Sequence, residues 1–353
     1  MTAMLAAFGA GTWSLLPAQA SIGQRSGDTC CTVTVNGPAV AMKVTKQGTT
    51  AKETFHGKVN ERVSEVLTDV VSSDQGCETL TLLNPSGGTV DDGSDCGNGN
   101  NVGVGPDVLT VAGTYTVKLQ VDSNATGGGK LWVSAPVSSG PIAVNGPAKA
   151  MDVTRVGQGV ERTFTGKVHQ QISVVVTNVV TSDQGCETLT LLNPSGGMVD
   201  DGSDCGNGNN VAVGPDVLTV AGTYTVRLEA DNTATATSKL WVSAPVSRGT
   251  VTVNGPAEAM NATRVGQGVE RTFSGTARER IKAVVSGIVT SDQGCETLTL
   301  LNPSGGTVDN GSDCGNGNPI DVGPVRLGKT GTYTVLFQVD TAATGSGKLK
   351  ITS

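Results

Sequence analysis

Apolar and polar residues alternate with a period of two in many short stretches of this chain. In ETLTLL, Leu80 and Leu82 alternate with Thr79 and Thr81. Further along, apolar side chains again occupy every second position, at Tyr115, Val117, Leu119 and Val121. Such alternation indicates strands with one buried side and one solvent-facing side. No window has clear helical periodicity, so the sequence predicts an all-β fold of short strands joined by turns.

The strand pattern recurs along the chain. The phrase SDQGCETLTLLNPSGG begins at Ser73, Ser182 and Ser291, which is a period of 109 residues. That period is too long for a solenoid repeat and is the length of a whole domain. We therefore predict three tandem β-sandwich domains of the jelly-roll or immunoglobulin-like kind, arranged in a rod, at residues 32–137, 138–246 and 247–353.

Turn-forming residues follow the shared strand in each repeat. In Asn84-Pro85-Ser86-Gly87, proline is placed to begin a turn and glycine to end it. The next segment, TVDDGSDCGNGNN, is rich in Gly, Asn and Asp, and we interpret it as an irregular loop.

Six of the eight cysteines follow the repeat, in pairs separated by 19 residues. In an exported chain this pattern favours one disulfide within each repeat, pairing Cys77 with Cys96, Cys186 with Cys205, and Cys295 with Cys314. Zinc is the alternative, but the chain has no CxxC motif, and its two histidines lie at non-equivalent repeat positions.

Cys30 and Cys31 align with linker residues of the later repeats. Three interpretations stay open for them: a vicinal disulfide, a bond within the chain, or a link to another molecule.

The first twenty residues are apolar and end in Ala18-Gln19-Ala20. This pattern predicts a cleaved signal peptide at residues 1–20, followed by a leader at 21–31. No basic residue precedes Arg25, so either the true start of the signal lies upstream or the signal is atypical. A membrane anchor is the alternative, but the short, Gly- and Pro-interrupted apolar stretch disfavours it. We therefore expect a secreted or cell-surface protein with no membrane span after cleavage.

Composition argues against two classes of function, nucleic-acid binding and catalysis. The formal net charge is −7, which argues against binding to nucleic acid. Aromatic residues make up only 3% of the chain, so each core is modest and a disulfide would help to stabilise it. His56 and His169 have no counterpart in the other repeats and could not supply a base to each domain. We expect the protein not to be an enzyme.

Several motifs together resemble the bacterial pre-peptidase C-terminal domain. They are a strand ending in LNPSGG, an Asp- and Gly-rich segment, an L-x-x-x-GTYTV strand and a short last strand, at Leu80–Gly88, Leu109–Val117 and Lys130–Val133. The resemblance implies small, non-catalytic, jelly-roll-like sandwiches of the kind usually appended to secreted enzymes. This sequence departs from that context because no catalytic domain accompanies the repeats.

The acidic segment of each repeat invites a calcium hypothesis. Its carboxylates are of the type that Ca²⁺ prefers, and they are Asp91, Asp92, Asp95, Asp200, Asp201, Asp204, Asp309 and Asp313. Their spacing is not that of an EF-hand. The alternative, which we favour, is that Asp, Asn and Gly only shape turns there.

Two tryptophans distinguish the first two repeats from the third. Trp132 and Trp241 occupy the KLW strand, where the third repeat has Lys350. Because Leu131 and Val133 should face the core, each tryptophan should point outward. We predict that each packs on the next linker or domain, and a glycan-binding platform is the alternative.

Glu65 is a further difference between the repeats. The later repeats have Val174 and Ala283 at this position. We interpret Glu65 as a residue at an exposed edge.

These features predict a secreted or cell-surface structural or adhesive protein, such as a spacer, a matrix component or a subunit of an extracellular filament. Its expected partners are copies of itself or other extracellular proteins. The alternative is a carbohydrate- or protein-binding accessory module of a secreted enzyme system.

Overall fold

A computed structural model of the chain describes residues 33–315 and 317–353. Within these residues the chain forms strands and no helix, so no helix there could cross a membrane. The strands build six sheets, which face each other in pairs and form three β-sandwiches, here called sandwiches 1, 2 and 3. The all-β prediction is confirmed. Cys30, Cys31 and the predicted signal peptide and leader lie outside the described residues.

Sandwich 1 has eight strands: β1 (Val40–Val44), β2 (Thr50–Gly57), β3 (Arg62–Ser72), β4 (Cys77–Leu83), β5 (Thr89–Cys96), β6 (Val102–Val108), β7 (Gly113–Val121) and β8 (Gly127–Ser134). One sheet has the order β2-β7-β4-β5 and the other the order β1-β8-β3-β6. Neighbouring strands are antiparallel throughout.

Sandwich 2 repeats this plan with one added strand. Its strands are β9 (Val137–Pro141), β10 (Lys149–Ala150), β11 (Val160–Gly166), β12 (Gln171–Thr181), β13 (Cys186–Leu192), β14 (Met198–Cys205), β15 (Val211–Val217), β16 (Gly222–Ala230) and β17 (Ala236–Ser243). The sheet orders are β14-β13-β16-β11-β9 and β10-β17-β12-β15.

Sandwich 3 has the same nine-strand plan as sandwich 2. Its strands are β18 (Val246–Thr250), β19 (Glu258–Ala262), β20 (Val269–Gly275), β21 (Arg280–Thr290), β22 (Cys295–Leu301), β23 (Thr307–Cys314), β24 (Ile320–Arg326), β25 (Gly331–Gln338) and β26 (Gly345–Thr352). The sheet orders are β18-β20-β25-β22-β23 and β19-β26-β21-β24.

The segments that link two sandwiches are strands of the second one. β9 runs parallel to β11, with Val137 opposite Val160, and β18 runs parallel to β20 in the same way. Val137 also packs against the core of sandwich 2. Only Ala135 and Pro136 separate the end of β8 from the start of β9, so each link between sandwiches is short and anchored.

An aromatic pair lies in the core of each sandwich. Phe55 and Tyr115 stack with their ring centroids 5.6 Å apart, and equivalent pairs occur in sandwiches 2 and 3. The Tyr115 hydroxyl donates a hydrogen bond of 2.9 Å to the carbonyl of Val111. A Cβ on Gly57 would lie 2.3 Å from Leu109 Cδ1, so only glycine leaves room for this packing.

The repeated phrase builds a strand with a turn fixed at each end. Before β4, Asp74 accepts a hydrogen bond from the Gly76 amide at 3.0 Å. A Cβ on Gly76 would lie only 2.2 Å from the carboxylate of Asp122, which itself accepts the next amide. After β4, the Asn84 side chain accepts the Gly88 amide at 3.0 Å. The phrase therefore fixes where β4 begins and ends, and it places Leu80 and Leu82 in the core.

The segment that we interpreted as an irregular loop is largely a strand, so that interpretation was wrong. β5 pairs with β4 over its length and places Cys77 opposite Cys96. The three predicted disulfides are confirmed. Asp and Gly disfavour strands, but the cystine and the ladder to β4 impose the extended conformation. Gly93 is required because its Cβ would lie 2.2 Å from the Gly103 carbonyl.

The interpretation of Glu65 as an edge residue was also wrong. Glu65 is 0% exposed and lies on β3, between β8 and β6, on the core-facing side with Val63. Among the residues that the structure describes, neither carboxylate oxygen has a hydrogen-bond partner outside Glu65 itself. Burial raises the pKa of Glu65 well above its usual value, and the nearby Asp107 and Asp91 raise it further. Nothing in the structure explains why this position carries a carboxyl group.

We expect Glu65→Val, which restores the residue found at Val174, to raise the free energy of unfolding at pH 8 by about 1–3 kcal/mol. The folded state holds the Glu65 proton more tightly than the unfolded state, whose pKa is near 4.5. The cost of Glu65 to stability is therefore lowest near pH 4.5 and below, and it grows as the pH rises. Urea unfolding at pH 5 and pH 8 measures the difference, with Val174→Glu as the reverse control. A gain that is the same at both pH values would contradict the assignment.

Candidate functional site: the junctions between sandwiches

Each tryptophan of the KLW strands contacts an arginine of the next sandwich. Trp132 points away from its own core, and its Nε1 donates a hydrogen bond of 3.0 Å to Thr68. The Arg155 guanidinium of sandwich 2 lies 4.6 Å from the Trp132 ring centroid. Arg264 of sandwich 3 lies 5.2 Å from the Trp241 ring centroid. Both contacts are cation–π pairs. We call the contact between sandwiches 1 and 2 junction 1, and the contact between sandwiches 2 and 3 junction 2.

The arginines belong to a short segment that we call the docking loop, residues 155–158 at junction 1 and 264–267 at junction 2. Gly157 has a φ of +67°. A Cβ there would lie 2.9 Å from Val66 Cγ2. Gly266 approaches Val175 in the same way. Glycine therefore permits both the left-handed turn and the close approach of the loop to the sheet.

Serine hydroxyls fasten the docking loop to the sheet. Ser134, on β8, donates a hydrogen bond of 2.9 Å to the Val156 carbonyl. Ser243 donates an equivalent bond of 2.7 Å to the Val265 carbonyl. Both serines are 0% exposed, which shows how closely each loop covers the sheet face beneath it.

A second contact region lies beside the docking loop. The turn between β16 and β17 places the Asn232 side chain where it donates to the Gly105 carbonyl of sandwich 1. At junction 2, Thr341 donates to the Gly214 carbonyl at 3.2 Å. Two separated contact regions restrain both bending and rotation of one sandwich against the next.

An ion pair distinguishes junction 1 from junction 2. Arg62 at the start of β3 binds Glu229 of sandwich 2 through two hydrogen bonds of 2.7 and 2.9 Å. Their side chains are 26% and 15% exposed, so solvent screens this bidentate contact less than a surface ion pair. Junction 2 has Gln171 and Gln338 at these positions.

An open groove of about 570 Å³ lies next to Trp132 at junction 1. Lys130, Thr68, Arg155 and Thr235 are among the residues that line it. Lys130 also forms an ion pair of 2.8 Å with Asp69 at the groove wall. The groove thus combines an aromatic ring with polar and charged groups, although Arg155 covers part of that ring.

The acidic residues of β5 and its counterparts have backbone partners. Asp91 accepts a hydrogen bond from the Gly105 amide at 3.2 Å, and Asp200 and Asp309 accept equivalent bonds of 3.1 and 3.0 Å. Each bond holds β5, or its counterpart, to the opposite sheet. Asp95, Asp204 and Asp313 each accept the amide of the following cysteine.

The remaining calcium candidates, Asp92 and Asp201, are exposed on the other side of the strand. In the part of the chain that the structure describes, no group of three His, Cys, Asp or Glu side chains could hold a metal ion. The calcium hypothesis therefore stays a prediction.

A glutamate follows the first cysteine of each disulfide and is buried in every sandwich. Glu78, Glu187 and Glu296 are at most 1% exposed. Burial raises the pKa of Glu187 to about 7, and the carboxylates of Asp231 and Asp183 contribute to the shift. These glutamates are a titratable element that sequence patterning did not identify, because they occupy a position where the alternation predicts an apolar residue.

The docking loops were also missed by sequence reasoning. The sequence signal of these loops is RVGQG, which is present at residues 155–159 and 264–268. The first repeat has KQGTT at the equivalent positions, 46–50. The two histidines, by contrast, are exposed and lie in different sandwiches, His56 on β2 and His169 in the turn before β12.

We expect the stability of the chain to fall between pH 5 and pH 8, in part because of Glu187. Its folded-state pKa of about 7 exceeds the ordinary value of 4.5, so stability is lost as the pH rises through this range. Glu187→Gln should reduce the fall by about 1–3 kcal/mol. Urea unfolding at the two pH values measures it. Asp201→Asn, on an exposed position of β14, is the control, and an equal change in both variants would refute the role of burial.

No family model and no curated relative matches the chain. Among solved structures, the chain is similar to the pre-peptidase C-terminal domain of collagenase from Bacillus anthracis, with 17% identity and a TM-score of 0.25, over 30% of this chain and 95% of that chain. It is also similar to b-glucuronidase from Ruminococcus gnavus in complex with D-glucaro-d-lactam, with 12% identity and a TM-score of 0.21, over 54% of this chain and 35% of that chain.

Proposed function

We propose that this chain is a non-catalytic extracellular structural protein in which the stacked sandwiches form a stiff, rod-like spacer. The observation that carries this proposal is the repetition of one junction. A docking loop, a tryptophan and a serine meet in the same geometry at both contacts between sandwiches. A spacer requires such a joint, because its length depends on holding each domain at a fixed angle to the next.

The links between sandwiches support stiffness. A flexible linker would let each domain tumble. Here two residues separate β8 from β9, and β9 is itself held in the sheet of sandwich 2. The docking loop and the turn at Asn232 add restraints at two further points.

Other features support the extracellular and non-catalytic parts of the proposal. Three disulfides are typical of a chain that folds in an oxidising compartment. Both histidines are exposed and neither recurs in the other repeats, which is unlike a base held in a catalytic site.

Gly157→Ala tests the stiffness of junction 1. The new methyl group would lie 2.9 Å from Val66 Cγ2, so the docking loop should lift from the sheet and the junction should loosen. Gly48→Ala is the matched control, because Gly48 has the same left-handed φ, +69°, but no atom within 4 Å of the added Cβ. Spin labels on sandwiches 1 and 2 report the distance distribution, which should broaden only in Gly157→Ala.

The spacer proposal fails if the distance distribution of the wild-type chain is already broad. It also fails if Gly157→Ala leaves a narrow distribution unchanged, because the docking loop would then contribute nothing to the joint. Loss of secondary structure in both variants would instead point to the cost of a left-handed alanine, and circular dichroism separates that effect from loosening.

The groove beside Trp132 favours a second candidate function, the binding of carbohydrate or protein as an accessory module. A sugar ring that stacks on the free part of Trp132 should quench its fluorescence in a saturable titration with oligosaccharides. Trp132→Phe should abolish that quenching while Trp241→Phe retains it. Absence of saturable quenching across neutral and acidic oligosaccharides would leave the groove without a glycan role.

A further inference from the structure

In sandwiches 1 and 2, one sheet face is covered by the docking loop of the next sandwich. Sandwich 3 has the equivalent sheet face. Val66 and Val175 point away from their cores yet are 0% exposed, because the next sandwich covers them. Their counterpart Val284 is partly exposed, and within the described residues nothing covers it. We call the outward-facing residues Lys282, Val284, Lys348 and Lys350 on β21 and β26 the end face.

The end face differs in charge from the two covered faces. Lys350 replaces the junction tryptophans, and Lys282 replaces Ser64 and Ser173. Lys282 forms an ion pair of 3.0 Å with Asp321, while Lys348 and Lys350 are exposed and, in the described residues, form no ion pair. A positively charged patch therefore lies on a chain whose net charge is −7.

A second copy of this chain does not fit the end face. Sandwich 1 of that copy would present residues 46–49, with Lys46 at the position of Arg155. Lys46 would then meet Lys350 where the internal junctions join arginine to tryptophan, and like charges in such a contact oppose association. Thr49 is also too short to replace Gln158, whose side chain reaches Asn36 at 3.0 Å.

We infer that the end face is a docking surface for a β-sandwich other than sandwich 1 of a second copy, and that the docking loop of this partner carries a carboxylate at the position of Arg155. The same charges reject end-to-end stacking of this chain. The inference rests on the junction geometry used in the proposed function, but its test concerns only the two ends. A spacer with loose internal joints would fail the Gly157→Ala experiment and could still pass a test of charge exchange at the ends.

A charge-exchange series tests the specificity of the end face. All variants carry Cys30→Ser and Cys31→Ser, so that intermolecular disulfides do not contribute, and self-association is measured by sedimentation equilibrium at low and at 0.5 M salt. Lys46→Glu gives the chain a carboxylate-bearing loop that matches the end face of another copy. We expect it to associate about tenfold or more tightly than the parent chain, and the added salt should weaken this association by screening.

The matched control is the double variant Lys46→Glu with Lys350→Glu. It places like charges opposite each other again, so its association should return to that of the parent chain. Lys350→Glu alone should associate like Lys46→Glu, because its altered face then matches the native Lys46 loop.

A second arm tests whether the end face still has the shape of a junction. One chain carries Lys46→Arg, Gln47→Val and Thr49→Gln, which reproduces the loop sequence RVGQ of residues 155–158. The other carries Lys282→Ser and Lys350→Trp, which reproduces the covered face. Each chain alone should stay at the association state of the parent, and an equimolar mixture should form a one-to-one complex.

Four outcomes would overturn the inference. They are end-to-end association of the parent chain, no gain in either single charge variant, a double variant that still associates, and a mixture that forms no complex. A sulfated polysaccharide such as heparin is the other candidate occupant. Heparin binding that Lys350→Glu abolishes, with no association of Lys46→Glu, would assign the end face to a polysaccharide and reject the protein partner.

Discussion

The rest of each sandwich depends on the register between β4 and β5, which the disulfide fixes. With Cys77 opposite Cys96, Asp91 falls where its carboxylate reaches the Gly105 amide on the opposite sheet. The carbonyl of the same Gly105 accepts the Asn232 side chain of the next sandwich. The disulfide in the repeated phrase thus positions Asp91, and through Gly105 it affects the surface that joins two domains.

The parts of the fold that the sequence could predict are those set by local chemistry. Alternation of Leu80 and Leu82 with threonines identified a strand, and the recurring cysteine spacing identified the disulfides. β5 was not predictable, because its strand conformation comes from a partner and not from its Asp- and Gly-rich composition. Glu65 was misassigned because its burial is a property of the central strand β3, although the apolar counterparts Val174 and Ala283 indicate a buried position.

For a related reason, only some residues of the candidate site could be predicted from the sequence. Trp132 could be predicted to point outward and to pack on the next domain, since its neighbours on β8 face the core. The docking loop that meets it is defined by a close approach between two domains, and a string such as RVGQG does not show where its backbone will lie. Comparison of the three repeats at equivalent positions recovers this information, because contact residues change where the partner changes.

The interchangeable junctions also bear on how a chain of this kind can vary in length. Trp132 and Trp241 receive Arg155 and Arg264 in the same geometry. Removal of one period of 109 residues between the two junctions would therefore bring Trp132 against Arg264, with Ser134 below the Val265 carbonyl. Unequal recombination between repeats could then shorten or extend the molecule by whole domains, and each new joint would keep the contacts of the tryptophan, the arginine and the serine.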